Sequence, residues 1–435
     1  MAEQTSAGAP AAAPAQPRSV ADAIRSREVD TRLRGMIVTL IVLWVGFQFL
    51  TNGLFLLPRN LWNLSVQTAA VAVMATGMVL IIVSRNIDLS VGSVMGVIGM
   101  GMALLQARII PTTLGLGFEQ PYTWVVTVLA GLAMGALIGG LSGFLVAYVG
   151  IPSFVVTLGG LLVWRSVTII LSSGQTVSQL DPTFQLLGGG PEGSAGETVS
   201  WIIGIAVCVG IVYALVSSRR RRTKYGFPVR ALWAEVAIAV ISCGAVLWAV
   251  KIANDYPWPD NLAKAYAAEH GLEGIPFIGH GIAYPVLLAL GVAALMTILA
   301  NRRRFGRYVY AIGGNPDAAE LSGINTRRIL MWTFVIMGVL AAVGAIISTA
   351  RSQSATAAAG TGMELSVIAA AVIGGTSFAG GIGTIPGAVM GALIIQSLIT
   401  GMQLMRWDNS YVQIAVGVVL VVAVGIDTVV RKRSR

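Results

Sequence analysis

The 435-residue sequence is 55% hydrophobic and only 11% charged, with a net charge of +10. Soluble domains carry roughly 25% charged residues, so this composition excludes a soluble globular protein and indicates an integral membrane protein. The excess of Lys and Arg does not indicate binding to nucleic acid, because these residues form clumps beside apolar runs. The two cysteines and two histidines have neither a disulfide framework nor metal-ligand spacing.

The chain begins with an Ala- and Pro-rich stretch that ends in arginines, and residues 1–34 are predicted to form a disordered, basic cytoplasmic arm. The apolar run that follows lacks a small-residue cleavage site close behind it, so it is predicted to be a retained span. Runs of suitable length then predict a transmembrane domain over residues 35–430 and a basic cytoplasmic tail at 431–435. The predicted spans are 36–57, 63–84, 88–107, 122–149, 153–173, 199–218, 229–250, 284–300, 329–350, 363–377, 384–402 and 411–430.

The predicted fold is all-α: a polytopic integral membrane protein with about twelve transmembrane helices, between ten and fourteen. An even number of spans puts both termini in the cytoplasm. Of the 29 Lys and Arg residues, 22 fall in segments predicted inside and six in segments predicted outside, while Arg165 falls within a span. This bias favours the proposed orientation over its inverse.

The longest polar segment between two spans is the cytoplasmic loop 301–328. Within it, Asn315 is placed as an N-cap, Pro316 as the first helical residue, and Gly323 just past the end of a short helix. Such caps favour a defined helix that docks into a partner and transmits force. A basic loop that merely fixes topology is equally compatible with these residues.

Three further stretches bring polar or interrupted sequence into predicted spans. The first, 86–93, would place Asp88 where a polar group is costly unless it faces a cavity or another helix. The alternative is that Asp88 caps the third span or pairs with Arg85. Candidates for the translocation path in this stretch are Asn86, Asp88, Ser90 and Ser93.

The second stretch, 151–165, contains Phe154 and Thr157 and ends at Arg165, a basic residue deep in a predicted span. An intramembrane arginine is a candidate for function, in contact with solute or in gating. A location at an interface is the alternative.

The third stretch, 362–387, combines a short apolar run with a glycine-rich segment, a combination tolerated at membrane depth only inside protein or along a watery path. It predicts a gate or hinge with Thr376, Ser377 and Phe378 as path candidates, or a tight cytoplasmic turn. Glu364 is predicted at the outer end of its span, where it would contact a docked periplasmic partner or pair with Arg351.

No phosphate-binding loop of the form G-x-x-x-x-G-K-[ST] occurs, so an ATP-driven mechanism would need a second, soluble subunit. No H-E-x-x-H or G-x-S-x-G motif appears, which argues against an intramembrane enzyme. Acidic residues near the spans stand singly, which weakens a proton-coupled secondary transporter.

Four of these segments resemble the permease subunits of bacterial sugar ATP-binding cassette (ABC) importers of the ribose, galactose and xylose type. They are NIDLSVGSVMG at 86–96, the P-x-F-x-x-T-L-G run at 152–159, GGNPDAAELSGINTRR at 313–328, and the Glu-Leu to glycine-rich run at 363–393. The resemblance implies a non-catalytic transport subunit of the bacterial inner membrane. The implied coupling helix, in contact with the ATPase, contains Asn315, Pro316, Asp317, Glu320, Leu321, Ser322 and Gly323.

The same resemblance implies cytoplasmic ATPase subunits, a periplasmic sugar-binding protein and a second permease copy in a homodimer within the lipid bilayer, with no nucleic-acid partner. No cofactor is expected on this chain, since ATP and Mg²⁺ would bind the ATPase. The chain is longer than many ribose permeases, and the excess at 219–283, a probable inserted span and outer loop, resembles the xylose branch. D-xylose is therefore the expected substrate. A permease for ribose, galactose, arabinose or branched-chain amino acids, and an ion-coupled secondary transporter, are the alternatives.

Overall fold

The computed structural model describes residues 31–434 except residues 119, 228 and 230, and within these ranges it contains helices and no β-strand. The helices are α1 (Thr31–Leu50), α2 (Pro58–Val83), α3 (Val91–Leu104), α4 (Thr123–Phe144), α5 (Ser153–Ser172), α6 (Pro182–Gln185), α7 (Gly196–Lys224), α8 (Leu232–Asn254), α9 (Asp260–His270), α10 (Tyr284–Arg302), α11 (Arg304–Gly314), α12 (Pro316–Leu321), α13 (Thr326–Ser352), α14 (Met363–Ile373), α15 (Ile385–Leu404) and α16 (Asn409–Ser434). Two π-helical segments, Leu105–Thr113 and Leu145–Val149, extend α3 and α4, and a 3₁₀ turn at Leu186–Gly188 follows α6.

In the described part of the chain, nine helices are long and apolar enough to cross a membrane. They are α2, α3 and α4 with the π-helical segments that extend α3 and α4, then α5, α7, α8, α10, α13 and α15. Three shorter apolar helices lie at Gly35–Leu50, Met363–Ile373 and Asn409–Gly425. The prediction of an all-α, polytopic membrane protein is confirmed, whereas the number of twelve spans stays a prediction.

Helix α2 is the centre of the bundle. Its most apolar window has a mean hydropathy of 2.2 and is 94% buried inside the protein. Helices α13, α15, α10 and α14 pack around it. A helix that is apolar on every side is stable only where every side is covered, which explains why this segment lies at the core.

Glycines line the contact between helices α4 and α13. Gly135, Gly139 and Gly143 recur at four-residue spacing on α4 and face Phe334 and Gly338 of α13. A methyl group on Gly139 would lie only 3.1 Å from the Gly338 α-carbon. Small residues at this spacing let two membrane helices approach to backbone contact.

Helices α7 and α8 form a peripheral pair that packs mainly on itself. Arg219 and Glu235 join their predicted cytoplasmic ends through an ion pair of 2.9 Å. Each sulfur of Cys208 and Cys243 lies within 3.9 Å of the other residue's backbone oxygen, and both thiols are free. These cysteines pack as small side chains, as their apolar surroundings predict.

An aromatic cluster docks the outer segment before α10 onto α2. The rings of Tyr256 and His280 stack with centroids 4.1 Å apart, and the Trp62 ring lies 5.0 Å from His280. The indole nitrogen of Trp62 donates to the Gly281 carbonyl at 2.9 Å. Burial lowers the pKa of His280, while its hydrogen bond to the Tyr256 carbonyl opposes that shift.

Three sequence-based boundaries differ from the structure. Residues 1–30 of the predicted arm lie outside the described residues. Residues 31–34, which were also assigned to the arm, belong to α1. The predicted tail at 431–435 is helical through Ser434, as the continuation of α16. The loop at 301–328 holds a second helix, α11, which the sequence reasoning did not separate from the arginine cluster.

Candidate coupling junction and transport path

The capped helix predicted in the cytoplasmic loop is present as α12. The Asn315 side chain accepts from the Ala318 backbone N–H at 3.1 Å, and Pro316 begins the helix. Gly323 follows the last turn with φ of +81°, a left-handed conformation that favours glycine. The Leu321 side chain is 90% exposed, so this short helix presents an apolar tip. Contact with an ATPase stays a prediction for these residues.

A dense joint connects this loop to the bundle. Arg85, which follows α2, donates from its guanidinium to the carbonyl oxygens of Gly313 and Gly314 at 2.7 Å each. The Gly381 backbone N–H donates to the Val83 carbonyl at 2.9 Å. These contacts bring together the end of α2, the end of α11 and the glycine-rich turn between α14 and α15. We call this cluster the coupling junction.

Tyr310 of α11 reinforces the junction on its second side. Its hydroxyl donates to the Gly383 carbonyl at 2.7 Å, and burial raises the pKa of this phenol. One residue later, the Thr384 hydroxyl accepts from the Gly387 backbone N–H at 3.2 Å and caps α15. The glycine-rich segment is thus held as a tight turn against α11, which was one of its two interpretations.

The turn buries the residues proposed to line a gate there. Thr376 and Ser377 are 1% and 0% exposed, and Phe378 is half-buried against the core. Buried side chains of this kind fix the conformation of the turn between α14 and α15. Their contribution to a path stays a prediction that this packing does not favour.

The polar stretch before α3 is held by local hydrogen bonds. One carboxylate oxygen of Asp88 accepts from both the backbone N–H and the hydroxyl of Ser90, at 2.8 and 2.7 Å. Asp88 therefore organises the entry to α3 rather than pairing with Arg85, whose guanidinium bonds the two glycine carbonyls of the junction. The Asn86 amide donates to the Ser84 carbonyl at 2.9 Å. Ser93 is buried in the first turn of α3.

The start of α5 clamps the same stretch. The Ile87 backbone N–H donates to the Ser153 hydroxyl, and the Thr157 hydroxyl donates to the Ile87 carbonyl at 3.2 Å. Thr157 is fully buried, whereas Phe154 is 54% exposed on another face of the helix. The two candidates from this motif thus face different surroundings, and Thr157 acts here as a clamp.

Further along α5, Arg165 lies beside the start of α14. Its guanidinium donates to the hydroxyl of Thr361, which precedes Glu364 by three residues. The Glu364 carboxylate lies against Gly92 of α3, where a methyl group would collide with it. Both Glu364 and Arg351 are described, and no ion pair joins them. Contact of Glu364 with a periplasmic partner stays a prediction, which its packing against α3 does not favour.

Helix α14 is consequently a half-length helix. It has 11 residues, about 16 Å of length, against about 30 Å for the hydrocarbon core. It begins beside Gly92 and ends at Gly374, where the turn of the coupling junction starts. Discontinuous helices whose ends lie at membrane depth mark the functional region of many transporters.

A repeated motif, which the sequence reasoning missed, marks both of these helix starts. The residues at 88–91 read Asp-Leu-Ser-Val and lead into α3, which begins at Val91, and those at 364–367 read Glu-Leu-Ser-Val in the first turns of α14. The predicted topology brings the chain to α3 from the inside and to α14 from the outside. An acidic residue followed by Leu-Ser-Val at two interrupted spans was a usable signal, because inverted repeats are common in transporters.

The sequence reasoning also missed three glutamines inside or at the end of spans. Gln67, Gln396 and Gln403 line a polar cleft between α2, α13 and α15 in the predicted outer half. A larger groove, between α7 and α8, is lined in half by aliphatic side chains such as Val209 and Val212. The polar side chains of that groove are Tyr213, Ser217, Arg220 and Arg221, all on α7.

The matching family model and the most similar proteins both indicate a transport permease. Residues 60–253 and 198–424 match the model of the family described as branched-chain amino acid transport system / permease component. The xylose transport system permease protein of Haemophilus influenzae is 37% identical over 94% of this chain and 99% of its own length.

The corresponding xylose permease protein of Escherichia coli K12 is 36% identical over 92% of both chains. The ribose import permease protein of that strain is 31% identical over 90% of this chain and 92% of its own length. No solved structure matches the chain significantly. The chain therefore belongs to the branched-chain amino acid transport system / permease component family and is a multi-pass transport permease of the bacterial inner membrane.

Proposed function

We propose that this chain forms the translocation path of an ABC importer for a monosaccharide, with D-xylose as the substrate. The proposal is carried by one observation: α12, a capped helix with an exposed apolar tip, is connected through α11 to the coupling junction. A soluble ATPase that holds α12 can move α11, and with it the ends of α2 and α15. The similarity to xylose permeases over nearly the whole chain supports the choice of sugar.

The mechanism is alternating access driven from outside the chain. ATP and Mg²⁺ bind the partner ATPases, and a periplasmic binding protein delivers the sugar to two permease copies. Closure of the ATPases displaces the α12 helices, and the packed spans change which face of the path is open. Within this chain, the coupling junction is the part that receives the displacement.

The first test is co-purification of the detergent-solubilised chain with soluble ATPases from its host. The variant Glu320→Ala, Gly323→Pro disturbs α12, and we expect it to lose an ATPase that the intact chain retains. The matched control is Lys224→Ala, Gly226→Pro in the other large cytoplasmic loop, because Gly226 is also exposed and has φ of +68°. This control should retain the ATPase.

Retention of the ATPase by both variants would refute the role of α12, and absence of any ATPase from the intact chain would refute the importer. The substrate is tested by reconstituting the complex with its binding protein and measuring ATP hydrolysis. D-xylose should stimulate hydrolysis, whereas ribose and L-valine should not. Stimulation by L-valine alone would assign the chain to amino-acid transport.

A further inference from the structure

The cleft between α2, α13 and α15 is a cavity with a polar lining within the membrane-spanning part that the structure describes. Its volume is about 480 Å³, within the roughly 300–1,000 Å³ of small-molecule sites. We call this cavity the outer cleft. Its polar lining comes from all three helices and consists of Gln67, Ser348, Arg351, Ser352, Gln396 and Gln403. Aliphatic residues such as Val66 and Ile347 complete its walls.

A hydrogen-bonded amide pair forms the floor of the outer cleft. The Gln396 side-chain nitrogen donates to the Gln67 side-chain oxygen at 2.7 Å, although Gln396 is only 7% exposed. The Thr400 hydroxyl lies 3.4 Å from the same oxygen. Packing alone would be served by aliphatic side chains, so amides at this depth indicate a role that needs donors and acceptors.

The mouth of the cleft lies toward the outer surface. Gln403, in the last turn of α15, follows Gln396 by two turns, or about 10 Å. Arg351 and Ser352 end α13 on the facing side and are exposed. The cleft therefore runs from an exposed cationic rim to a buried amide floor.

The lining chemistry selects among solutes. Side-chain amides and hydroxyls both donate and accept hydrogen bonds, which is the pairing that sugar hydroxyls require. A guanidinium at the rim adds a planar set of donors for neighbouring oxygens. No carboxylate is among the residues that line the cleft, so nothing there would balance the ammonium group of an amino acid.

We propose that the outer cleft is a subsite that receives a neutral, polyhydroxylated solute of monosaccharide size on its way through the permease. This inference rests on the proposed function and adds the part of the chain that contacts the sugar. Because the binding protein captures the solute, substitutions in the cleft should lower the maximal rate of uptake more than the apparent affinity.

Two small substitutions test the cleft in the assembled importer. Ser348→Ala and Gln403→Ala each remove one hydrogen-bonding group, and we expect each to lower the maximal rate of D-xylose uptake about fivefold. The matched control is Gln413→Ala, an exposed glutamine of α16 outside the cleft. It should leave uptake unchanged. Retention of the ATPase by every variant shows that assembly is intact.

A second measurement reads occupancy without transport. Ser348→Cys is introduced into a Cys208→Ala, Cys243→Ala background, and the full chain in membrane vesicles is labelled with a small thiol reagent. D-xylose should slow labelling of this cysteine, whereas L-valine at the same concentration should not. The control Ser217→Cys, in the groove between α7 and α8, should be labelled equally with and without sugar.

The outcomes separate this inference from the proposed function. Normal D-xylose uptake by both cleft variants, with labelling unaffected by sugar, would overturn the outer cleft and leave the importer standing. ATP-dependent uptake that the wild-type chain shows for L-valine and not for any sugar would overturn the proposed function. Protection by L-valine instead of D-xylose would overturn the assignment of a neutral solute to the cleft.

Discussion

Gly313 is the position where the coupling junction can be tested by a single methyl group. A methyl on Gly313 would overlap the Val83 carbonyl oxygen and lie 2.6 Å from the Gly381 backbone nitrogen. The next residue, Gly314, has no atom within 4 Å of the same position. Gly313→Ala and Gly314→Ala therefore make the same chemical change in one helix, and only the first reaches the junction.

The size of the effect follows from the distances. Ordinary contact begins at 3.4 Å, so relieving the 2.6 Å approach to the Gly381 nitrogen alone requires a shift of α11 by at least 0.8 Å, and the overlap with the Val83 oxygen requires more. A displacement of that size lengthens the two 2.7 Å bonds from Arg85 to about 3.5 Å, beyond the usual range. Counting about 1 kcal/mol for each of these two partly solvated bonds, the junction loses about 2 kcal/mol.

The assay compares both variants with the wild-type chain in thermal unfolding and in the assembled importer. Gly314→Ala should be neutral or slightly stabilising, since alanine favours a helix over glycine by about 0.5–1 kcal/mol. Gly313→Ala should retain the ATPase through the exposed α12 and lose most sugar-dependent transport. Equal stability and equal transport in the two variants would refute the junction as the connection between the loop and the bundle.

Two further predictions concern the outer surface and the start of α14. Burial lowers the pKa of His280 below its ordinary 6.5, so the folded state binds fewer protons than the unfolded state, and stability falls as pH drops from 6.5 through the lowered pKa. His280→Phe should remove this dependence of stability on pH between pH 7.5 and 5. Thermal unfolding that depends on pH equally in the variant and the wild type would contradict the prediction. Gly92→Ala should destabilise the protein by about 1–3 kcal/mol, because its methyl would collide with the Gly360 carbonyl and the Glu364 carboxylate. The control Gly159→Ala, whose methyl meets no atom within 4 Å, should not destabilise the protein. Equal melting temperatures of the two variants would argue against the close approach of α3 and α14.

The sequence was sufficient for features that depend on neighbours along the chain. Apolar runs predicted where helices form, and the Asn315 to Gly323 pattern predicted the caps of α12, because both follow from short-range chemistry. Asp88 is the contrasting case. Its partner could not be chosen from spacing alone, since Arg85 and Ser90 are both close in sequence. The choice depended on the carbonyls of Gly313 and Gly314, more than 200 residues away.

Depth in the membrane was the second property that the sequence could not fix. Counting residues placed Glu364 at the outer end of a span, because its depth was measured from a full crossing even though this apolar run is short. The structure gives α14 half that length and starts it beside Gly92, because the preceding residues run along α3 and Gly360 contacts its backbone. The glutamines of the outer cleft were missed for a related reason. Each lies singly in an apolar run, and only packing brings Gln67 and Gln396 together.

The three walls of the outer cleft all have their cytoplasmic ends at the coupling elements. Helix α2 ends at Val83 in the junction, α15 begins just after the Gly383 carbonyl that Tyr310 holds, and α13 begins three residues after Gly323. From Val83 to Gln67, α2 is a buried rod about 24 Å long. A rigid element of that kind cannot move at one end without changing its contacts at the other. A displacement of α12 would therefore reach all three sides of the cleft through continuous helices, and no separate relay is required between the loop 301–328 and the proposed solute site.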